Sequence, residues 1–306
     1  MKKKLLTKKL FAEIFFALGL TNRFLQRAGQ QGYVVLMYHR VLPHDELKAS
    51  TQPGMYVEPR TFHMHLDFLK RHFNPARLSE LRDPAGLKNK RDPDRPFCFL
   101  TFDDGWVDFQ RYAFPILQKF NIPATVFLPT NFIGTKKRFW TDRLAEELFI
   151  KYQSKGNRSE VKNNIASTLL SLKGNNERRV EKAIEIMKNQ SDTIIEQVIE
   201  DIAANTEEEQ CSRNDFLRWE DVRAMRETGL IKFGSHTASH RILTNLKFAE
   251  IIKELSKSRE KLLQEDAADI DWLPFCYPNG NFTSNIVSAV QAASYHLAVS
   301  TQPGWN

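Results

Sequence analysis

The chain predicts an α/β fold, a set of parallel βα units interrupted once by a helical insertion. Three observations carry this. Short apolar stretches rich in β-formers alternate with helix-length amphipathic segments along most of the sequence. Polar clusters stand directly behind several of those stretches, where parallel β/α folds keep their functional groups. Between about residues 141 and 205 the alternation stops, and the pattern is helical, charged and free of proline.

Lys2-Lys3-Lys4 and Lys8-Lys9 precede an apolar run from Leu10 to Leu20. That run is too short to span a bilayer, Glu13 interrupts it, and no small-residue cleavage site follows. Residues 1–30 therefore read as a basic amphipathic segment, with residues 1–20 suited either to contact an anionic membrane surface or to dock as an ordinary helix. Residues 31–306 form the main domain. Tyr33–Tyr38 is a buried strand, ending at His39-Arg40, and a loop with Pro43, Pro53 and Gly54 follows. Thr61 heads a helix with Phe62, Leu66 and Leu69 on one face. Asp83 to Pro96 is a surface connection rich in proline and charge. Phe97–Phe102 is the second strand, Asp108 to Phe120 a helix, and Ala124–Leu128 the third strand. The insertion occupies about residues 135–215, the alternative being a separate small domain. The βα rhythm resumes with a helix from Trp219, a strand at Leu230–Phe233 and a helix from Leu246 to Gln264. Trp272–Tyr277 is a strand, Ser284 to Ala293 a helix, and His296–Ser300 the last strand.

Composition narrows the function classes. The 306 residues suit one large α/β domain or two small ones, and 42% apolar with 26% charged residues is ordinary for a globular chain. The 22 phenylalanines supply a sizeable core. Cys98, Cys211 and Cys276 are odd in number and widely spaced, which gives neither a disulfide framework nor zinc-ribbon spacing. A reducing compartment is the simplest reading. Much of the +7 net charge lies in the first nine residues, and no interleaving of basic and aromatic residues marks a nucleic-acid groove.

The chemistry is concentrated in two runs. Phe102-Asp103-Asp104-Gly105 ends one strand with adjacent carboxylates, and His236-Thr237-Ala238-Ser239-His240 ends another with two imidazoles four apart. One carboxylate and two imidazoles are a divalent-cation ligand set with coordination positions left open, and the second carboxylate is then available as a base. His39 and Tyr277-Pro278-Asn279-Gly280 follow strands at the same topological level. Taken singly, each cluster has a plain reading: a turn, a polar helix face, a satisfied core histidine. Taken together they point to a metal-assisted hydrolase. Phe139-Trp140 and Trp219 flank the insertion, and Trp140, Trp219 and Tyr277 are candidates to wall a substrate groove; hydrophobic core is the alternative.

Thr101-Phe102-Asp103-Asp104-Gly105 with His236-Thr237-Ala238-Ser239-His240 resembles the first two motifs of the polysaccharide deacetylases, the NodB-homology group of carbohydrate esterase family 4. Phe114-Pro115-Ile116-Leu117 and Ile122-Pro123-Ala124-Thr125-Val126-Phe127 are similar to that family's intervening helix and strand. The resemblance runs from Val34 to the C-terminus, the insertion excepted. It implies a distorted (β/α)7 barrel and hydrolysis of an N-acetyl (or O-acetyl) group on a polysaccharide or a lipid-linked sugar precursor. By position it implies Asp103 as general base and Asp104, His236 and His240 as ligands of zinc, or of cobalt, nickel or iron. Pro278-Asn279-Gly280 aligns with the motif whose backbone N–H receives the oxyanion, which singles out the amide of Asn279.

Three departures stand out. Cys276 occupies the place of an arginine that orients the base in the family. No Leu-x-His, the source of the family's general acid, follows Ser300 before the chain stops at Asn306. This predicts a truncated C-terminus or another acid, and His39 is the substitute, since a subset of the family carries a similar Tyr-His after strand one. The third departure is the insertion itself. Alternatives to the deacetylase are a catalytically impaired member that binds glycans or scaffolds polysaccharide biosynthesis, and an amidohydrolase or esterase acting on a non-sugar substrate. A glycosidase fits less well, because adjacent residues at one strand end point to different faces. The N-terminal segment and the cysteines suggest a cytoplasmic location at the inner membrane face, with anchoring or export through that segment as the alternative.

Overall fold

The computed structural model describes residues 32–46, 55–89, 92, 94–153, 163–203 and 215–305. The basic segment 1–30 and Cys211 lie outside the described residues. Seven strands form one parallel sheet: β1 (Tyr33–Tyr38), β4 (Asn74–Ala76), β5 (Phe97–Phe102), β6 (Ala124–Leu128), β7 (Ile231–Ser235), β8 (Pro274–Cys276) and β9 (Leu297–Val299). Their order is β1-β5-β6-β7-β8-β9. β1 pairs with the whole of β5, from Tyr33 against Phe97 to Tyr38 against Phe102. The other edge of β5 is shared, β4 against Phe97 to Phe99 and β6 against Leu100 to Phe102. The two-residue strands β2 (Arg40–Val41) and β3 (Tyr56–Val57) pair separately. The sheet curls until β1 and β9 face each other across a cleft lined by Tyr33, Val35, Met37 and Leu297 to Gly304. The result is an open, distorted β/α barrel.

The strands follow from composition. Every residue of β5 and β6 is buried, as parallel strands covered on both faces require, and each segment is apolar but for one threonine, Thr101 in β5 and Thr125 in β6. Helix α1 (Pro59–His72) starts with proline in its first turn, where a missing N–H costs nothing, and buries Phe62, Leu66 and Leu69 as the spacing predicts. A short helix α2 (Pro84–Asn89) occurs within the expected surface connection. The expected helix from Asp108 is instead a π turn at Phe109–Ala113 that runs into α3 (Phe114–Phe120). Pro115 sits in the first turn of α3, so its missing N–H falls at the junction between the two.

The insertion contains four helices: α4 (Trp140–Gln153), α5 (Asn164–Ser171), α6 (Asn176–Met187) and α7 (Asp192–Ala203). Asn163 and Asn175 cap α5 and α6 through side-chain oxygens. Leu144, Leu148, Leu169, Met187, Val198 and Ile202 belong to a core of its own, separate from the barrel core. It is nevertheless tied to the barrel. Arg138 pairs with Glu146 of α4 and, at 3.2 Å, with Asp215, and Arg241 pairs with Asp192 at 2.9 Å. Asn245 Nδ2 donates to the carbonyl of Lys188 at 3.1 Å. The barrel then continues with α8 (Trp219–Glu227), α9 (Phe248–Gln264) and α10 (Ser284–Ala292). Among the described residues no helix is long and apolar enough to cross a membrane.

Candidate active site

The carboxyl ends of β1, β5, β7 and β8 open into one cavity of about 400 Å³, lined among others by His39, Asp103, Asp104, His236, His240 and Asn279. The β5 end turns sharply. Asp104 and Gly105 both adopt left-handed backbone, with φ of 73° and 64°. Asp tolerates that conformation and glycine favours it. A Cβ at residue 105 would also lie 2.6 Å from Leu128 Cδ2. The double turn sends the two buried carboxylates in different directions.

Asp104 faces the histidines. Its Oδ1 lies 3.2 Å from His240 Nε2 and 3.7 Å from His236 Nε2, and the three side chains offer donors mutually within 4.8 Å. Oδ1 is buried and has no hydrogen-bond partner. Oδ2 accepts from Trp106 Nε1 at 3.0 Å. His236 Nδ1 lies 2.9 Å from the carbonyl oxygen of Cys276. A carbonyl can only accept, so Nδ1 carries the proton and Nε2 presents a lone pair towards Asp104. Burial lowers the His236 pKa, which favours the neutral ring a ligand needs. Burial alone would raise Asp104, but His240, then His39 and His236, hold it well below the usual carboxylate range. An orphaned buried oxygen and two imidazole nitrogens converging on one point fit a divalent cation.

The His236–His240 run is a loop, not a helix. Thr237 and His240 are both left-handed, at φ 64° and 59°. Glu254 of α9 holds the loop: its Oε2 accepts from the backbone N–H of Ala238 at 3.0 Å and of Ser239 at 2.8 Å, and its Oε1 accepts from Ser239 Oγ at 2.6 Å. The His240 backbone N–H donates to Thr237 Oγ1 at 2.9 Å, and the His240 ring packs on Phe139 with centroids 4.5 Å apart.

Asp103 faces His39 and Cys276. Its Oδ2 is 3.9 Å from His39 Nε2 and accepts from Cys276 Sγ at 3.4 Å, while its Oδ1 is buried without a partner. The thiol therefore contacts the aspartate directly. Burial, then Asp103, push the Cys276 pKa well above its usual value, so it remains a neutral thiol. Asn279 adopts φ 58° beside Gly280, whose φ of 73° leaves no room for a Cβ against Thr301. Tyr277 and Trp140 also line the cavity. Trp219 does not. It is 8% exposed within the barrel core, with Lys261 Nζ 5.5 Å from its ring centroid, so its expected place in a groove wall is corrected to core. The apolar face of α8, which buries Val222 and Met225 beside it, carries it inward.

Four residues near the site escaped the sequence reading. Trp106 holds Asp104, and the Arg40 guanidinium lies 4.1 Å from the Trp106 ring centroid. Arg40 is fixed by buried Asp108 at 2.8 Å. Glu254 and Asp142 are the others. Asp108, four residues after Asp104, and Arg40, directly after His39, were visible as a signal; the pairing across 68 positions was not.

Fold and site together define a class: an open parallel β/α barrel whose strand ends gather two carboxylates and two imidazoles in one cavity. The polysaccharide deacetylase family model matches residues 90–164 and 162–298, and the chain belongs to that family. A poly-β-1,6-N-acetyl-D-glucosamine N-deacetylase of Staphylococcus epidermidis is 33% identical over 110 residues, which cover 33% of this chain and 37% of that protein. YxkH of Bacillus subtilis is 27% identical over 113 residues, 37% of each chain. The matches thus span little more than a third of these curated relatives. IcaB from Ammonifex degensii superposes with a TM-score of 0.54 at 18% identity, over 88% of this chain and 83% of that one. The Streptococcus pyogenes deacetylase PplD, solved with acetate, gives 0.54 at 18% identity, over 89% and 85%. These likenesses establish the NodB-type fold.

Proposed function

We propose that this protein is a metal-dependent deacetylase that hydrolyses N-acetyl groups on a polysaccharide or lipid-linked glycan built from N-acetylhexosamine. The observation that carries the reading is the meeting of Asp103, Asp104, His236 and His240 in one cavity across more than 130 positions of sequence. Asp104, His236 and His240 would hold the cation, which when bound supplies Lewis acidity to the acetyl carbonyl and acidifies water. Zinc, cobalt, nickel and iron all suit the donor set.

The remaining work falls to side chains of this chain. Asp103 accepts a proton from the attacking water, since its Oδ1 has no other partner. His39, across from it, gives a proton to the leaving amine. The Asn279 amide stabilises the oxyanion. Trp140 and Tyr277 contact the sugar. We place the protein at a membrane face through its basic N-terminal segment, a placement that fractionation with and without residues 1–20 would test.

The central test is acetate release from N-acetylglucosamine oligomers, with chelator and then metal add-back. Asp103→Asn and His236→Ala should each abolish metal-dependent release. Full activity in either variant refutes the assignment.

A further inference from the structure

Among the residues that the insertion contributes to the cavity is a largely buried carboxyl that the proposed chemistry does not use. Asp142, in the first turn of α4, is 8% exposed and lines the cavity with Trp140 and Thr141. No hydrogen bond or ion pair ties its carboxyl to another described residue. The two cations closest to it in electrostatic effect are committed elsewhere: Arg40 to Asp108, and Arg138 to Asp215 and Glu146. Asp215 and Asp104 add negative charge around it.

A buried carboxyl without a partner is costly, and native folds keep few such groups. Its remaining surface opens on the space where substrate must sit. A partner from the substrate would satisfy it. Sugar hydroxyls are the natural match, because a carboxyl group can exchange hydrogen bonds with one or two neighbouring hydroxyls of a pyranose. Trp140, two residues earlier and also in the cavity wall, adds an apolar ring face of the kind that packs against a sugar ring.

We propose that Asp142 is a sugar-recognition residue, through which the insertion binds hydroxyls of an N-acetylhexosamine chain in the cavity. This rests on the deacetylase reading for its choice of substrate class. It makes the insertion part of the glycan site, while the barrel supplies the reacting groups.

The test is calorimetric titration of the full chain with the β-1,6-linked pentamer of N-acetylglucosamine, in an Asp103→Asn background to prevent turnover. Asp142→Ala should weaken binding at least tenfold. Asp142→Asn, which keeps the shape and part of the hydrogen-bonding capacity, should weaken it less, and it carries the test if the alanine variant fails to fold. Binding within twofold of the unsubstituted chain in both variants, or no binding of the pentamer by the unsubstituted chain, overturns the proposal. Metal-dependent acetate release from a small acetate ester, measured on the chain with Asp103 intact, reports separately on the deacetylase reading. Ester cleavage with no effect of Asp142 on pentamer binding removes the subsite alone. Pentamer binding that depends on Asp142, without any acetate release, removes the enzymatic reading alone.

Discussion

Glu254 does not line the cavity, yet replacing it should weaken the proposed metal centre. Its carboxylate accepts three hydrogen bonds at 2.6–3.0 Å from the loop between the two histidines. Two come from backbone N–H groups, and Ala238 is completely buried. Hydrogen bonds to a charged acceptor contribute roughly 1.5–3 kcal/mol each, and an orphaned buried N–H costs about 1–3 kcal/mol. Partial exposure and relaxation reduce the sum, so Glu254→Ala should destabilise the loop by about 3 kcal/mol. The same loop holds left-handed Thr237 and His240, conformations that persist only where the surroundings impose them. Released, His240 should drift from Asp104, and metal affinity should fall about 10–100-fold, as for other groups that support ligands from behind. Competition of the purified protein against a chelator of known affinity measures this directly, with acetate release at saturating metal as a second readout. Glu254→Gln keeps one acceptor oxygen and should lose less. Unchanged metal affinity in Glu254→Ala would refute the idea that α9 positions the histidine loop.

Trp106→Phe removes the indole N–H from Asp104 Oδ2 and should lower acetate release about tenfold at fixed metal, while a melting curve moves little. Trp219→Ala should cost about 3–5 kcal/mol of stability in chemical denaturation and leave KM near that of the parent, because the ring is core. Burial pushes the Asp142 carboxyl up to about 7, against opposing effects of Arg40 and Arg138. The folded chain therefore holds a proton that the unfolded chain releases near pH 4, so Asp142 costs stability increasingly as pH rises from about 4 to about 7. In metal-free protein, Asp142→Asn should accordingly be stabilising, with an advantage over the parent that grows by about 2 kcal/mol from pH 5 to pH 7 in denaturant titrations. A constant difference across that range would contradict the burial of the charged form.

Much of this was legible in the residues. The apolar runs at Tyr33–Tyr38, Phe97–Phe102 and Ala124–Leu128 are strands at the expected positions, because each is short, apolar and bounded by turn residues. The insertion was visible as a failure of alternation. The strands Arg40–Val41, Tyr56–Val57 and Asn74–Ala76 were not, since two or three residues carry no periodicity and Pro75 argues against a strand. The π turn was hidden because its side chains read as ordinary helix. In the site, Asp103, Asp104, His236 and His240 were legible because adjacent carboxylates and paired histidines behind strands are rare in combination. Glu254, Arg40 and Asp142 were not. Acidic and basic residues are common on helices and loops, and only the three-dimensional arrangement shows which of them turn inward.

One position joins the last strand of the site to both halves of the reaction centre. Residue 276 presents its main-chain oxygen to His236 and its side chain to Asp103. Any amino acid can supply the first contact, so imidazole orientation is insulated from what evolution places there. Only the second contact depends on side-chain identity. Exchange at this one site can thus retune the aspartate while the orientation of the His236 ring is inherited intact, and the sulfur atom present here is one such setting.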